Sequence, residues 1–77
     1  MSIIIKLNEI EMLKQFVNDM RSLDCDIDLV KGRYVVDAKS ILGLLSLSLN
    51  EPVTARINTD DEEIIKQFEN LCTKYCA

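Results

Sequence analysis

Histidine and tryptophan are absent from this 77-residue chain, proline occurs once and glycine twice. Without an imidazole no Ser-His-Asp arrangement can be assembled, and no histidine nitrogen is available to hold a metal or carry a phosphoryl group. A glycine-rich phosphate loop is missing as well. The three cysteines, Cys25, Cys72 and Cys76, are an odd number and cannot all pair within one chain, which points to free, mostly buried thiols in a reducing compartment. No long apolar run exists: the greasiest stretch, Ile41 to Leu49, is broken by Gly43, Ser46 and Ser48 and falls far short of the ~20 residues that span a membrane. Near the start, only Ile3, Ile4 and Ile5 are consecutively apolar before Lys6, too few for a secretory leader, so a cytoplasmic location is expected. Nine basic residues against thirteen acidic give a net charge of −4, and the cations are scattered, which argues against a nucleic-acid partner. At this length the expectation is one small domain over residues 1–77 whose core is too thin for an enclosed cofactor cavity, so no cofactor is expected.

What is present is periodicity. Ser2 to Leu7 is apolar and β-branched and predicts a strand. Asn8 with Glu11 has the spacing of a capping box, and Ile10, Leu13, Val17 and Met20 then recur at three and four, predicting a helix over 9–22 with one buried stripe. From Cys25 the period becomes two, and Asp26 to Val36 reads as an antiparallel hairpin turning at Lys31-Gly32. Asp37 to Leu47 predicts a short helix begun by Asp37 or Ser40 and ended by Asn50-Glu51-Pro52. Val53, Ala55 and Ile57 alternate with polar residues as a fourth strand. Thr59-Asp60-Asp61-Glu62 reads as a second capping box opening a helix over 60–74, with Ile64, Phe68, Leu71, Cys72 and Tyr75 as its buried stripe. The order βαββαβα suits a two-layer α+β domain, helices covering one face of a four-stranded antiparallel sheet.

One motif narrows this further. Lys39-Ser40-Ile41-Leu42-Gly43 resembles the Lys-Ser-Ile-Met-Gly segment around the regulatory serine of HPr, the small phosphocarrier of the bacterial sugar phosphotransferase system, with Leu42 in place of Met. The resemblance runs from about Phe16 to Tyr75 and implies the HPr-like open-faced β-sandwich, with sheet order 1-4-2-3 and three helices on one face. It departs from the family at the phosphocarrier loop. There the family has Gly-x-His-Ala-Arg-Pro, whereas this chain reads Leu7-Asn8-Glu9-Ile10-Glu11-Met12 with no His, Arg or Gly. Phosphocarrier chemistry is therefore not implied.

Ser40 is the residue to which a family role transfers: the matching serine is phosphorylated by a dedicated ATP-dependent kinase, and the modified protein acts in carbon catabolite control. Read from the residues alone, Ser40 is in the first place a plain helix cap worth on the order of 1 kcal/mol, because Asp37 nearby opposes added charge. The apolar set Ile41, Leu42, Leu44, Leu45 and Leu47 makes a wide arc for a short helix, which leaves two readings, an exposed pair at Leu42 and Leu45 or all five in the core. The family docks partners on this helix, so Ile41, Leu42 and Leu45 become candidate partner-binding residues, with an HPr kinase or a transcriptional regulator as the implied partner. Cys72 and Cys76 lack a third and fourth ligand for a metal, and the acids sit at no spacing that argues for catalysis. The expectation is a non-enzymatic protein-binding module, regulatory in sugar-transport or catabolite control; the alternative is an interaction domain of the same fold unrelated to sugar transport.

Overall fold

The computed structural model of the chain describes residues 1–47 and 51–76. Its elements are β1 (Ser2–Ile5), α1 (Ile10–Arg21), β2 (Asp26–Lys31), β3 (Tyr34–Asp37), α2 (Ile41–Leu45), β4 (Val53–Asn58) and α3 (Glu62–Cys72), followed by a 3₁₀ turn over Thr73–Tyr75. The sheet runs β1-β4-β2-β3 and every pairing is antiparallel. Ile3, Ala55, Leu29 and Val36 face one another in one row across all four strands, and Ile27 pairs with Ile57 on the same side. Because side chains alternate along a strand, these rows present one apolar face, which the helices cover. Leu13, Phe16, Val17 and Met20 of α1 and Phe68 and Cys72 of α3 are buried against it in one continuous core. On the opposite, open face the rows hold Ser2, Arg56, Asp28 and Asp37, where the Asp28 carboxylate accepts from Arg56 at 3.4 Å and from Asn58 at 3.2 Å.

Several boundaries differ from the sequence reading, each for a local reason. The hairpin turns at Gly32-Arg33, one residue later than expected, because Lys31 pairs with Tyr34; Gly32 takes φ +58°, which costs glycine little. Asn8 does not cap α1. Leu7 is drawn into the core, the helix starts later, and Glu9 holds the cap position without a side-chain bond. Likewise α3 is capped by Asp61, whose Oδ1 accepts from Glu63 N at 3.0 Å, while Thr59 Oγ1 accepts from Asp61 N at 3.2 Å; the expected capping box is replaced by two successive side-chain turns. The helix break at Asn50, and Ser48 and Leu49 of the apolar stretch, lie outside the described residues.

The chain's two ends are clasped together. Lys6 N donates to Tyr75 O at 2.8 Å, and Ile5 forms a β-bridge with Cys76. The Tyr75 hydroxyl and the Lys74 ammonium both donate to Asp19 Oδ2 at 2.7 Å, and the Tyr75 ring meets Phe16 edge to face at 5.3 Å. Burial, with the hydrogen bond to Asp19, raises the Tyr75 phenol above its usual value, so it stays protonated as a donor. Cys76 thus lies beyond α3; its thiol donates to Cys72 O at 3.4 Å. No helix is long and apolar enough to cross a membrane among the described residues.

Candidate functional site

The connection that follows β1 is short and carries no phosphoryl acceptor of the imidazole type. Lys6 and Leu7 are held by the C-terminal clasp and the core, and Asn8 and Glu9 are exposed. Ile10, which the three-four spacing places on the buried stripe, is instead 60% exposed. It stands at the first turn of α1 and lines a shallow groove with Leu7, Asn8, Glu9, Leu13, Leu45 and Leu47. An apolar surface therefore occupies the region where the helix begins.

The second part of the site is built by the turn between β3 and α2. The sequence reading allowed the helix to start at Asp37, but Asp37 closes β3 opposite Asp28. Its Oδ1 accepts from Lys39 N at 2.9 Å and its carbonyl accepts from Ser40 N at 3.1 Å, while Ala38, fully buried, donates to Ile27 O at 2.9 Å. That turn hands the cap to Ser40, whose Oγ accepts from Gly43 N at 3.2 Å. Two cations frame the turn: Arg21 Nε donates to Lys39 O at 3.1 Å, and Lys39 Nζ donates to Leu23 O at 2.6 Å. Gly43 packs beneath the cap; a Cβ there would stand 3.4 Å from Ser40 Oγ and 3.5 Å from Val36 Cβ.

Along α2 the burial follows helical phase. Leu44 points into the core at 0% exposure, Ile41 is half-buried against it, and Leu42 and Leu45, three apart on the outer side, are 81% and 51% exposed. Leu47 is buried. The apolar arc is therefore split between core and water, and of the three candidate partner-binding residues Leu42 and Leu45 present a full side while Ile41 presents an edge. Ile10 was missed because its periodicity is that of a core residue; its position as the first residue of α1 is the signal that distinguishes it.

The cysteines offer no second site. Burial, with the nearby Cys76 and Asp19, pushes the Cys72 thiol up to about 12, and burial raises Cys25 despite Lys39. Among the described residues no group of three or more Cys, Asp or Glu could hold a metal.

Comparison with known proteins places this geometry. Residues 12–74 match the family model described as the PTS HPr component phosphorylation site, a match that begins after the β1–α1 connection. HPr-C-His from Thermoanaerobacter tengcongensis is similar in structure, with TM-score 0.72 and 28% identity over 96% of this chain and 90% of that one. Crh from Bacillus subtilis, a catabolite-repression protein seen as a domain-swapped, intertwined dimer, gives TM-score 0.65 and 26% identity over 95% of this chain and 86% of that one. The phosphocarrier HPr of Bacillus anthracis shares the fold, with TM-score 0.76 at 24% identity over 97% of this chain and 93% of that one. No curated protein matches the sequence. With the sheet order, the capped Ser40 helix and 12–74 of 77 residues accounted for, the chain belongs to the HPr family of the phosphotransferase system.

Proposed function

We propose that this HPr-family chain is a cytoplasmic, protein-binding regulator in bacterial phosphotransferase or catabolite control, and not a histidine phosphocarrier. A protein partner, such as an HPr kinase or a transcriptional regulator, docks on the outer side of α2 through Leu42 and Leu45 with the edge of Ile41, and phosphorylation of Ser40 changes what binds. The observation that carries this reading is the exposure of Leu42 at 81% and Leu45 at 51% on the one turn that Ser40 caps. Exposed leucines on so small a domain make a patch that a partner can cover. Ile10, at 60% exposure, extends the patch towards α1. The chain has no imidazole to receive a phosphoryl group, and Glu9 and Glu11 at that end would repel a phosphoryl donor.

In the modification, Ser40 Oγ attacks the γ-phosphorus of ATP. The Oγ–P bond forms as the bond to the β,γ-bridging oxygen breaks, ADP departs, and the hydroxyl proton passes to the kinase's base. The product places a charge of about −1.5 to −2 at the rim of the apolar patch. Two labelling reactions test the reading. With phosphoenolpyruvate and the general phosphotransferase enzyme, no acid-labile, base-stable label is expected. With ATP and an HPr kinase, acid-stable label is expected on Ser40 and none on Ser40→Ala. Acid-labile label would overturn the first half of the reading, and absence of label on Ser40 the second.

A further inference from the structure

We infer that the Arg21 guanidinium is the receptor for the phosphate on Ser40, tying the last turn of α1 to the first of α2. The inference rests on the reading that Ser40 is modified, and deepens it by naming the group that answers the modification. Arg21 closes α1, is exposed, and places Nε 3.1 Å from the carbonyl oxygen of Lys39. That carbonyl belongs to the peptide group joining Lys39 to Ser40, so the guanidinium is hydrogen-bonded to the peptide that leads directly into Ser40. Its fork has terminal amino groups beyond Nε, and among the described residues it pairs with no carboxylate. A phosphate on Oγ brings three acceptor oxygens, which suit such a fork better than a single carbonyl does.

The surroundings explain why a cation is needed and why Arg21 is the one to move. Asp37 closes the same turn, with its carboxylate on Lys39 N and its carbonyl on Ser40 N, so a new dianion beside it meets like charge. The other cation, Lys39, is committed: Nζ lies 2.6 Å from Leu23 O, and moving it would strip a partner from the connection between α1 and β2. Arg21 gives up only one carbonyl bond on an exposed surface. With the phosphate gripped, the ends of both helices flanking the Leu42 and Leu45 patch become one charged clamp.

The test uses the full chain with phosphoserine encoded genetically at position 40, so that no kinase is required. Phosphorus NMR then follows the second ionisation of the phosphate against pH. In the parent it is expected about half a unit or more below the ordinary value of ~6, because the adjacent cation favours the dianion. Arg21→Gln should return it to that value, Arg21→Lys should retain part of the shift, and Lys39→Gln should leave the parent value unchanged. Melting of the unphosphorylated variants shows that each is folded. A titration unaltered by Arg21→Gln, or one abolished by Lys39→Gln alone, overturns the inference. Failure of a kinase to label Ser40 would overturn the preceding reading and leave this result intact.

Discussion

Replacing single leucines of α2 by serine separates surface from core within one turn. Leu42 is 81% exposed, so it withdraws only about a fifth of its surface from water. With full burial of a leucine worth about 1.5–3 kcal/mol, that fraction amounts to about 0.3–0.6 kcal/mol. Serine's lower helix propensity adds about 0.3 kcal/mol, so Leu42→Ser should cost less than about 1 kcal/mol. Leu45, at 51% exposure, forfeits about half a burial and should cost about 1–2 kcal/mol. Leu44 is fully buried, and truncation there loses the whole transfer term and leaves a cavity, about 2–5 kcal/mol, before the buried hydroxyl adds its own desolvation. For a domain of this size 1 kcal/mol moves the melting temperature by about 4–8 °C. Thermal melts followed by circular dichroism should therefore rank the three variants Leu42→Ser, Leu45→Ser, Leu44→Ser, the first within a few degrees of the parent and the last largely unfolded. Equal losses for Leu42 and Leu44, or any other order, would show the phase of α2 to be wrong and remove the docking surface with it.

The two glycines should respond in opposite directions: Gly32→Ala forces a side chain to φ +58° in open space and should cost about 1 kcal/mol, whereas Gly43→Ala meets only ordinary contacts at 3.4–3.6 Å and should gain about 0.5–1 kcal/mol in helix propensity, both read from urea melts. The Cys72 thiol, pushed by burial to about 12 from an ordinary 9.0, stays protonated in the folded chain after the unfolded chain has released its proton. Stability that is complete below about pH 9 should accordingly decline as pH rises towards 12, less so in Cys72→Ala, and equal alkaline slopes for the two proteins would refute the assignment.

The fold was legible in the sequence wherever a repeat was long enough to be read. The alternation of Val53, Ala55 and Ile57 and the spacing of Leu13, Val17 and Met20 mark core faces that the structure buries. The strand order came from the resemblance around Lys39-Ser40-Ile41-Leu42-Gly43, since pairing β1 with β4 is a tertiary choice that no local pattern encodes. What could not be read sits where an element ends. Ile10 carries a core residue's spacing yet is exposed at the first turn of α1, Asp37 looks like a cap yet completes a ladder with Asp28, and Cys76 keeps helical spacing from Cys72 although the chain has already left the helix to bridge Ile5. For Asp37 and Cys76 a partner on another strand settles the outcome. The Ser40 turn was half legible: serine as cap follows from local chemistry, but the approach of Arg21 from eighteen positions away does not.

The clasp between Lys6 and Tyr75 has a consequence in time. Among the described residues β1 pairs only with β4, and its far end is held by residues 75 and 76, so its strand partner and its clasp both come from the second half of the chain. During synthesis the hairpin of β2 and β3 can form from neighbours, while Ile3, Ile4 and Ile5 wait as an unpaired apolar segment. Closing so long a loop is slow beside forming the β2–β3 hairpin, so β1 should dock late, and variants that loosen Tyr75, whose carbonyl holds Lys6 N, should speed the release of that strand.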